Sequence, residues 1–186
     1  MKNTYLNAVF QQIKQVSHKV KQDFGDLSVT QLNWKPNPKS WSIAQCLEHL
    51  NNTAEVYYPK IDALASANYQ PNMFERIHLF SGFFGNLLLG FTSPEIKKKT
   101  KTLKPFEPST SNISAEIIER FQEEHQTLIR KMKALDKLDH KNTYLSSPAG
   151  NFITYNVHTL CTLLGNHTER HYAQAMNVMQ HERFPK

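Results

Sequence analysis

The sequence predicts an all-α protein, a four-helix bundle with one long crossover connection. Apolar residues recur at three- and four-residue steps in four long segments, and no convincing run of alternating residues indicates a strand. The connection between the second and third segments, residues 66–114, is unusually long for a compact domain. Four amphipathic helices and one such connection are typical of a bundle with a crossover.

The first two helices carry clear boundary signals. Apolar residues follow the helical period over residues 6–24, and Gly25 is a natural stop for this helix. Ser42 and Gln45 form a capping-box pattern, in which the hydroxyl and the amide satisfy free backbone N–H groups. We therefore expect helix two to begin at this pair and to continue to about Ile61.

The long connection contains a shorter helix, predicted over residues 76–89. Its most apolar part, residues 79–91, is too short to cross a bilayer and contains Ser81, Gly82, Gly85 and Asn86. We expect a buried segment here, with an interfacial segment as the alternative. The basic run KKKTKTLK follows at residues 97–104.

The last two helices frame a turn-rich stretch. Ser114 can start helix three, whose apolar positions extend to Leu135. The stretch SSPAGN at residues 146–151 predicts a turn. Helix four is then predicted over residues 153–180.

Length and composition favour an ordinary globular protein. The 186 residues are expected to form one domain, spanning 1–186, because 39% hydrophobic and 20% charged residues can build and solubilise a single core. Cys46 and Cys161 provide no disulfide framework, which favours the reducing cytoplasm. The amphipathic N-terminal segment does not resemble an export leader, and this agrees with a cytoplasmic location.

The net charge of +6 raises the question of nucleic acid. A nucleic-acid module would add a recognition helix, stacking aromatics or finger spacing, and the sequence shows none of these. The basic run at residues 97–104 is more simply a solvated loop, although its role stays open. We therefore expect neither nucleic acid nor membrane as a partner.

Three histidines are the strongest functional signal. His49 lies in WSIAQCLEHL, and the pair His167 and His171 lies in NHTERHYAQAM. Residues four apart on a helix lie one turn apart on the same side, so both imidazoles of the pair can reach one point. A third imidazole from another helix would complete a set of ligands for a divalent metal and leave positions open for water or substrate.

Helix geometry indicates where these three side chains point. His167 and His171 project into the leucine-rich stripe of helix four, where an unpartnered polar group costs about 2 kcal/mol or more. His49 lies at the flank of the apolar stripe of helix two, facing the groove between neighbouring helices. The three rings can therefore converge, but two satisfied core histidines would explain the spacing of four equally well.

The other histidines and the cysteines have plainer explanations. Cys161 is expected to be a buried, inert thiol, and nothing around Cys46 marks it as an activated nucleophile. His181 lies too far along helix four to share an ion with the pair. Five further histidines have no spaced partner and are expected to be surface or structural residues: His18, His78, His125, His140 and His158.

Several motifs lie in a fixed order along nearly the whole chain. The run WSIAQCLEHLNNTAEVY opens a helix with tryptophan and serine and places a histidine eight residues after the tryptophan. SSPAGNFITYNVHTLCTLLGNH leads into the second motif, NHTERHYAQAMNVM, which has a histidine pair followed three residues later by glutamine. Together with the connection ending in KPFEPS, these motifs resemble the second and last helices of the DinB/YfiT-like superfamily.

This resemblance implies a fold and a cofactor. The implied fold is a four-helix bundle of up-down-down-up topology, with the long crossover between helices two and three. The implied cofactor is a divalent metal (nickel, zinc, iron or manganese), held by the positions matching His49, His167 and His171. Position 45, often acidic in such proteins, is Gln45 here, which caps the helix or removes a carboxylate from around the metal.

Three functions remain open for such a site. The resemblance implies either transfer of a low-molecular-weight thiol, such as bacillithiol or mycothiol, or metal-dependent hydrolysis, with a metal-bound thiolate or water as the reacting group. Three neutral imidazoles leave the charge of the ion uncompensated and favour a thiolate, whereas no carboxylate beside the histidines is placed as a base for hydrolysis. The third function is a non-catalytic bundle. The expected partner is a small-molecule substrate, and a homodimer is left open.

Three further residues are candidates for supporting roles. Asn52 and Gln174 lie one turn from the predicted ligands and could orient them, or could be ordinary hydrogen-bonding residues between helices. Arg170 projects about 60° from His167 and could hold an anionic group of the substrate or thiol. An ion pair at the surface is the alternative for Arg170.

Overall fold

The computed structural model describes residues 1–92, 102–110 and 112–186, and most of these residues are helical. The helices are α1 (Tyr5–Phe24), α2 (Val29–Asn33), α3 (Ile43–Ala65), α4 (Met73–Ile77), α5 (Ser81–Thr92), α6 (Ile117–Ala134) and α7 (Val157–Met179), with 3₁₀ turns at Lys104–Phe106 and Leu135–Lys137. Two strands, β1 (Tyr144–Ser147) and β2 (Gly150–Asn156), form a small antiparallel sheet. The four predicted helices correspond to α1, α3, α6 and α7, so the all-α prediction is confirmed.

The start of α3 follows directly from the capping box predicted by the sequence. The Ser42 hydroxyl accepts a hydrogen bond from the Gln45 backbone N–H, and the Gln45 side-chain oxygen accepts one from the Ser42 N–H, both at 3.2 Å. These bonds satisfy backbone donors that have no partner inside the helix. The cap fixes the first turn of α3 and thereby the position of His49 on it.

Ion pairs and hydrogen bonds made by side chains give the directions of the long helices. Arg120 pairs with Glu55 and Lys131 pairs with Asp62, so α3 and α6 run in the same direction. Contacts of α1 show that it runs opposite to α6 and in the same direction as α7: Gln122 with Ser17, Asp136 with Asn3, Glu169 with Gln12, and Tyr172 with Asp23. These directions agree with an up-down-down-up bundle, and the complete topology stays a prediction.

The region before α7 corrects the sequence analysis. Residues 153–156, which we predicted as the first turn of helix four, belong to strand β2, and they pair with β1 in a register that joins Leu145 to Tyr155. The helix begins only at Val157, where the Asn156 side chain caps it by accepting from Thr159 N at 2.9 Å. Ile153, Val157 and Leu160 are spaced as they would be along one helix, so periodicity alone does not separate the strand from the helix.

The long connection also differs from its prediction. Instead of one helix over residues 76–89, the structure has α4 and α5, which are separated at His78 by a left-handed backbone conformation (φ 35°). The expectation of a buried segment is wrong, because Leu79 is 75% exposed and Phe83 is 65% exposed. Residues 97–101 of the basic run lie outside the described residues. None of the described helices combines the length and the hydropathy that a membrane-crossing segment needs.

The core consists of two apolar clusters, and each of the four long helices contributes to both. On α7 the buried apolar residues of the two clusters are separated by residues 165–174, and on α6 by a segment that contains His125. Buried polar side chains are found in or beside these gaps: His49, Asn51, Thr53, His125, Thr168 and His171. The bundle therefore has a polar layer across its middle, which is where the predicted ligands lie.

Candidate metal centre

The three histidines predicted as ligands converge. One ring nitrogen from each of His49, His167 and His171 can be chosen so that all three atoms lie within 4.8 Å of one another. His49 and His171 are only 5% and 8% exposed, and His167 is partly buried. The convergence that helix geometry permitted is therefore present, with one ring from α3 and two from successive turns of α7.

The protonation of His49 follows from its hydrogen bonds. Its Nδ1 lies 2.5 Å from the Phe106 carbonyl oxygen, which can only accept, so Nδ1 carries the proton. The neutral ring therefore has its lone pair on Nε2, and this atom faces the Nε2 of His167 at 3.1 Å. A backbone carbonyl that fixes the tautomer in this way is the usual outer partner of a metal-binding histidine.

The spacing of the nitrogens fits a divalent ion. Two nitrogens bound at about 2.0–2.1 Å to one tetrahedral ion lie roughly 3.3 Å apart. The 3.1 Å between His49 and His167 is close to that distance. His171 adds a ring whose Nδ1 is buried and has no hydrogen-bond partner among the described residues. The donor set is therefore one that could bind a metal ion.

The electrostatics of the site keep its imidazoles neutral. Burial lowers the pKa of His49 to about 4, although the Phe106 carbonyl opposes this shift. Burial also lowers the pKa of His167 and His171 well below the ordinary value, and positive charge on the neighbouring rings or on Arg170 would lower them further. Only the neutral ring can bind a metal, so the site is prepared for binding at neutral pH.

Trp41 packs against two of the three rings. Its ring centroid lies 4.8 Å from that of His49 and 5.7 Å from that of His171. The indole thus packs against a histidine from each of the two helices and restricts the rotation of both rings. The sequence motif that contains Trp41 was recognised, but this contact was not predicted from it.

A short segment of the long connection crosses α3 beside the site; we call residues 103–110 the strap. Gln45 Nε2 donates to the Ser109 carbonyl at 2.7 Å, and Glu48 accepts from both the N–H and the hydroxyl of Ser109. Asn52 Nδ2 donates to the Glu107 carbonyl at 3.0 Å. The three side chains lie on the same face of α3 as His49, so one face of one helix carries both His49 and the side chains that hold the strap beside it.

The residues predicted to support the ligands have different positions. Asn52 does not contact a ligand ring directly but holds the strap next to Phe106. Gln174 lies against His171, and its side chain opposes the lowering of that pKa. Arg170 is partly buried and close enough to the pair for its charge to lower the pKa of both rings. A direct role for these three residues in binding stays a prediction.

The cysteines lie in apolar surroundings. Cys46 and Cys161 are both fully buried. Burial raises the pKa of Cys161 to about 12 and raises that of Cys46 as well. Neither thiol is prepared to act as a nucleophile, because the reactive form is the thiolate. Among the described residues, the group able to hold a metal consists of histidines alone.

A helical bundle that gathers three buried or partly buried imidazoles from two helices fits the class of metal-binding four-helix proteins. The family model of the DinB superfamily matches residues 12–175, and the chain belongs to the DinB superfamily. No curated protein and no solved structure matches the chain.

Sequence reasoning missed the strap and the role of Phe106. Phe106 acts through its backbone carbonyl, and any residue type offers that group, so no motif could mark it. The polar residues of α3 gave a weak signal, since Gln45, Glu48 and Asn52 repeat at helical spacing beside His49. A polar stripe on a half-buried helix predicts that something polar packs against it, but it does not identify the segment.

Proposed function

We propose that this protein is a divalent-metal-dependent enzyme that transfers a low-molecular-weight thiol to an electrophilic small molecule in a reducing cytoplasm. His49, His167 and His171 would be the protein's ligands to the ion. The observation that carries the proposal is the mutual approach of three neutral imidazole nitrogens within 4.8 Å. Membership of the DinB superfamily supports a metal site at these positions.

The charge of the donor set favours thiol chemistry. Three neutral imidazoles leave the double positive charge of a bound ion uncompensated, so the ion would stabilise a thiolate over a thiol beside it. Arg170 adds a second positive charge close to His167 and His171. Both charges attract the anionic form of a thiol, and the guanidinium suits a carboxylate group on the thiol or on the substrate.

The chain's own residues would hold and shield the reacting groups. The Phe106 carbonyl keeps the His49 proton on Nδ1 and leaves Nε2 free for the ion. Trp41 packs against two of the ligand rings and keeps water away from that side of the site. A carboxylate base beside the site would assist hydrolysis, but Glu48, on the same face of α3 as His49, already accepts two hydrogen bonds from Ser109.

Metal content tests the site. We expect purified protein to hold about one divalent ion per chain and the His171→Ala variant to lose it on dialysis, because two imidazoles bind an ion much more weakly than three. His158→Ala, also on α7, is the matched control and should retain the ion. Full metal retention by His171→Ala would remove the site as described.

Thiol dependence tests the reaction. We expect the metal-loaded protein to consume a model electrophile at a rate that rises with added bacillithiol or a similar thiol and disappears after chelation. A metal-dependent rate that is indifferent to thiol would establish the hydrolase instead. Bound metal without turnover of ester or electrophile would indicate a non-catalytic bundle.

A further inference from the structure

The surface of α4 and α5 exposes far more apolar side chain than the rest of the described structure. Within these two helices and the residues joining them, and on the neighbouring strand β2, nine large apolar residues are 41–75% exposed. They are Met73, Phe74, Ile77, Leu79, Phe80, Phe83, Leu87, Phe91 and Phe152. We call this set the α4–α5 surface. Only three other large hydrophobic residues, scattered over the described residues, are comparably exposed.

Helix α5 is apolar on both of its faces. Its inner face packs on the bundle, where Gly85 is buried and a Cβ there would lie 3.3 Å from the Thr159 hydroxyl. Its outer face carries Phe83, Leu87 and Phe91, which are four residues apart and therefore lie along one side of the helix. The outer face is thus a regular apolar stripe rather than a few scattered side chains.

Strand β2 extends this stripe. The ring of Phe84 lies 5.5 Å from that of Phe83 and 6.2 Å from that of Phe152. The exposed Phe152 on the strand is therefore joined to the exposed residues of α5 by aromatic contacts. The α4–α5 surface is continuous across two elements.

The α4–α5 surface is as large as a protein interface. Nine side chains exposed to this degree present on the order of 900 Å² to solvent, since a large apolar side chain covers about 150–250 Å². The largest apolar patch on a typical monomer covers about 300–600 Å². A standard interface buries about 800 Å² on each partner. The nine side chains together thus expose about the area that one side of a stable dimer needs, and the ring contacts join those of α5 and β2 into its continuous part.

The charge pattern matches the centre of such an interface. Residues 77–94 contain no Asp, Glu, Lys or Arg. The centres of protein interfaces are depleted in charged residues and enriched in aromatic residues and methionine. A helix lying on a membrane surface carries Lys and Arg on its own polar face, whereas α5 has no charged residue and the basic run at residues 97–104 follows it only later in the chain. These features favour a protein partner over lipid.

We propose that the α4–α5 surface binds the same surface of a second copy of this chain. A two-fold pair uses one patch twice and requires no other partner, and it is the commonest arrangement of soluble oligomers. The proposal does not depend on metal binding or on catalysis, because the stripe lies on α5 and β2, whereas the predicted ligands lie on α3 and α7.

Light scattering after gel filtration tests the proposal. We expect the wild-type protein to have twice the mass of one chain at micromolar concentration. Phe83→Glu should weaken the dimer by about tenfold or more, since an apolar residue central to an interface then becomes a buried charge. Val29→Glu is the matched control, because Val29 is a 45% exposed apolar residue on α2, and it should leave the dimer intact. Helical circular dichroism and metal content unchanged from wild type show that Phe83→Glu is folded.

Cross-linking locates the contact. The two native cysteines are fully buried, so a single introduced cysteine is the reactive thiol of the variant. A short bismaleimide should link copies of Phe83→Cys or Leu87→Cys and should leave Val29→Cys as single chains. Dimers of Val29→Cys alone would place the interface elsewhere and overturn the proposal. A wild-type protein that stays monomeric at 100 μM, or that is monomeric and sediments with phospholipid vesicles, would also overturn it.

Discussion

His140 and the histidines of the candidate metal centre differ in the hydrogen bonds that their ring nitrogens make. His140, near the end of the bundle, is 1% exposed; its Nε2 donates to the Leu135 carbonyl at 2.8 Å, and its Nδ1 accepts from the Tyr5 hydroxyl at 2.6 Å. At the candidate metal centre, Nε2 of His49 faces another imidazole, and Nδ1 of His171 has no partner among the described residues. The difference lies in hydrogen bonding rather than in burial.

This difference separates a structural histidine from a candidate ligand. Both nitrogens of His140 are satisfied by the protein, so the ring can accept no ion without breaking these bonds. His49 and His167 could share one hydrogen bond at 3.1 Å, but such a pair does not require the third ring that His171 supplies. A buried polar group is costly unless it is paired, and an ion would pair all three rings at once.

The largest effect expected from this comparison is on metal-linked stability. A divalent ion at about 1,000 times its Kd should raise the free energy of unfolding by about 4 kcal/mol, because it binds the folded chain and hardly the unfolded one. His167→Ala should abolish this increment. Chemical denaturation with a chelator and with added metal measures it for each variant.

His140→Ala is the matched variant outside the candidate metal centre. It should lower the basal free energy of unfolding by about 1–3 kcal/mol, because it leaves the Tyr5 hydroxyl and the Leu135 carbonyl without their partner. The increment from metal should stay as in the wild type. If His140→Ala and His167→Ala both lost the metal-dependent rise in the free energy of unfolding, His140 would not differ from the histidines of the candidate metal centre as described.

An effect that is smaller for each residue is expected on the pH dependence of the metal-free protein. Burial lowers the pKa of His49 and of His125 to about 4, whereas an unfolded chain binds these protons near pH 6.5. Between these values the unfolded state binds more protons, so stability should fall as the pH drops from about 6.5 to 4. Each histidine contributes on the order of 3 kcal/mol to this loss.

Urea denaturation in the presence of a chelator measures that profile. His125→Leu should show a shallower fall over the same pH range, since one of the buried neutral rings is gone. The wild-type protein should reach its plateau above pH 7. A profile that is flat from pH 7 to 4 would contradict the assignment of buried, neutral imidazoles.

The smallest effect is expected at the strap. Asn52→Ala should weaken metal binding by about tenfold, because the Glu107 carbonyl loses its partner and the Phe106 carbonyl then holds His49 less firmly. Asn33→Ala is the control: Asn33 makes two hydrogen bonds to Ile113, further along the same connection. Competition with a chromophoric chelator gives both affinities, and equal losses would show that the strap acts only through general stability.

The sequence predicted those features that depend on local spacing. The capping box at Ser42 and the helical pair at His167 and His171 are both properties of residues three or four apart. The relation of that pair to His49 came from motif order, because helix periods alone left two satisfied core histidines as an equal alternative. The extent of a single domain stays a prediction.

Other features depend on contacts that the sequence does not encode locally. The break between α4 and α5 falls at His78, a residue type with no strong signal for a left-handed conformation. The outer face of α5 is as apolar as its inner face. Composition therefore predicted that the whole segment is buried, although its outer face is exposed. The Phe106 carbonyl oxygen contacts His49, a residue 57 positions away in the sequence. No side-chain pattern predicts such a contact, because the backbone carbonyl is common to all residue types.

The separation of His49 and His167 along the chain has a further consequence. The two residues are 118 positions apart, and an ion held by both would close a loop of that length. For a covalent bridge over about 100 residues, the loss of chain entropy in the unfolded state is worth about 4–5 kcal/mol. A bound ion would then act as a reversible cross-link between the first and last thirds of the polypeptide, and its release would loosen their association.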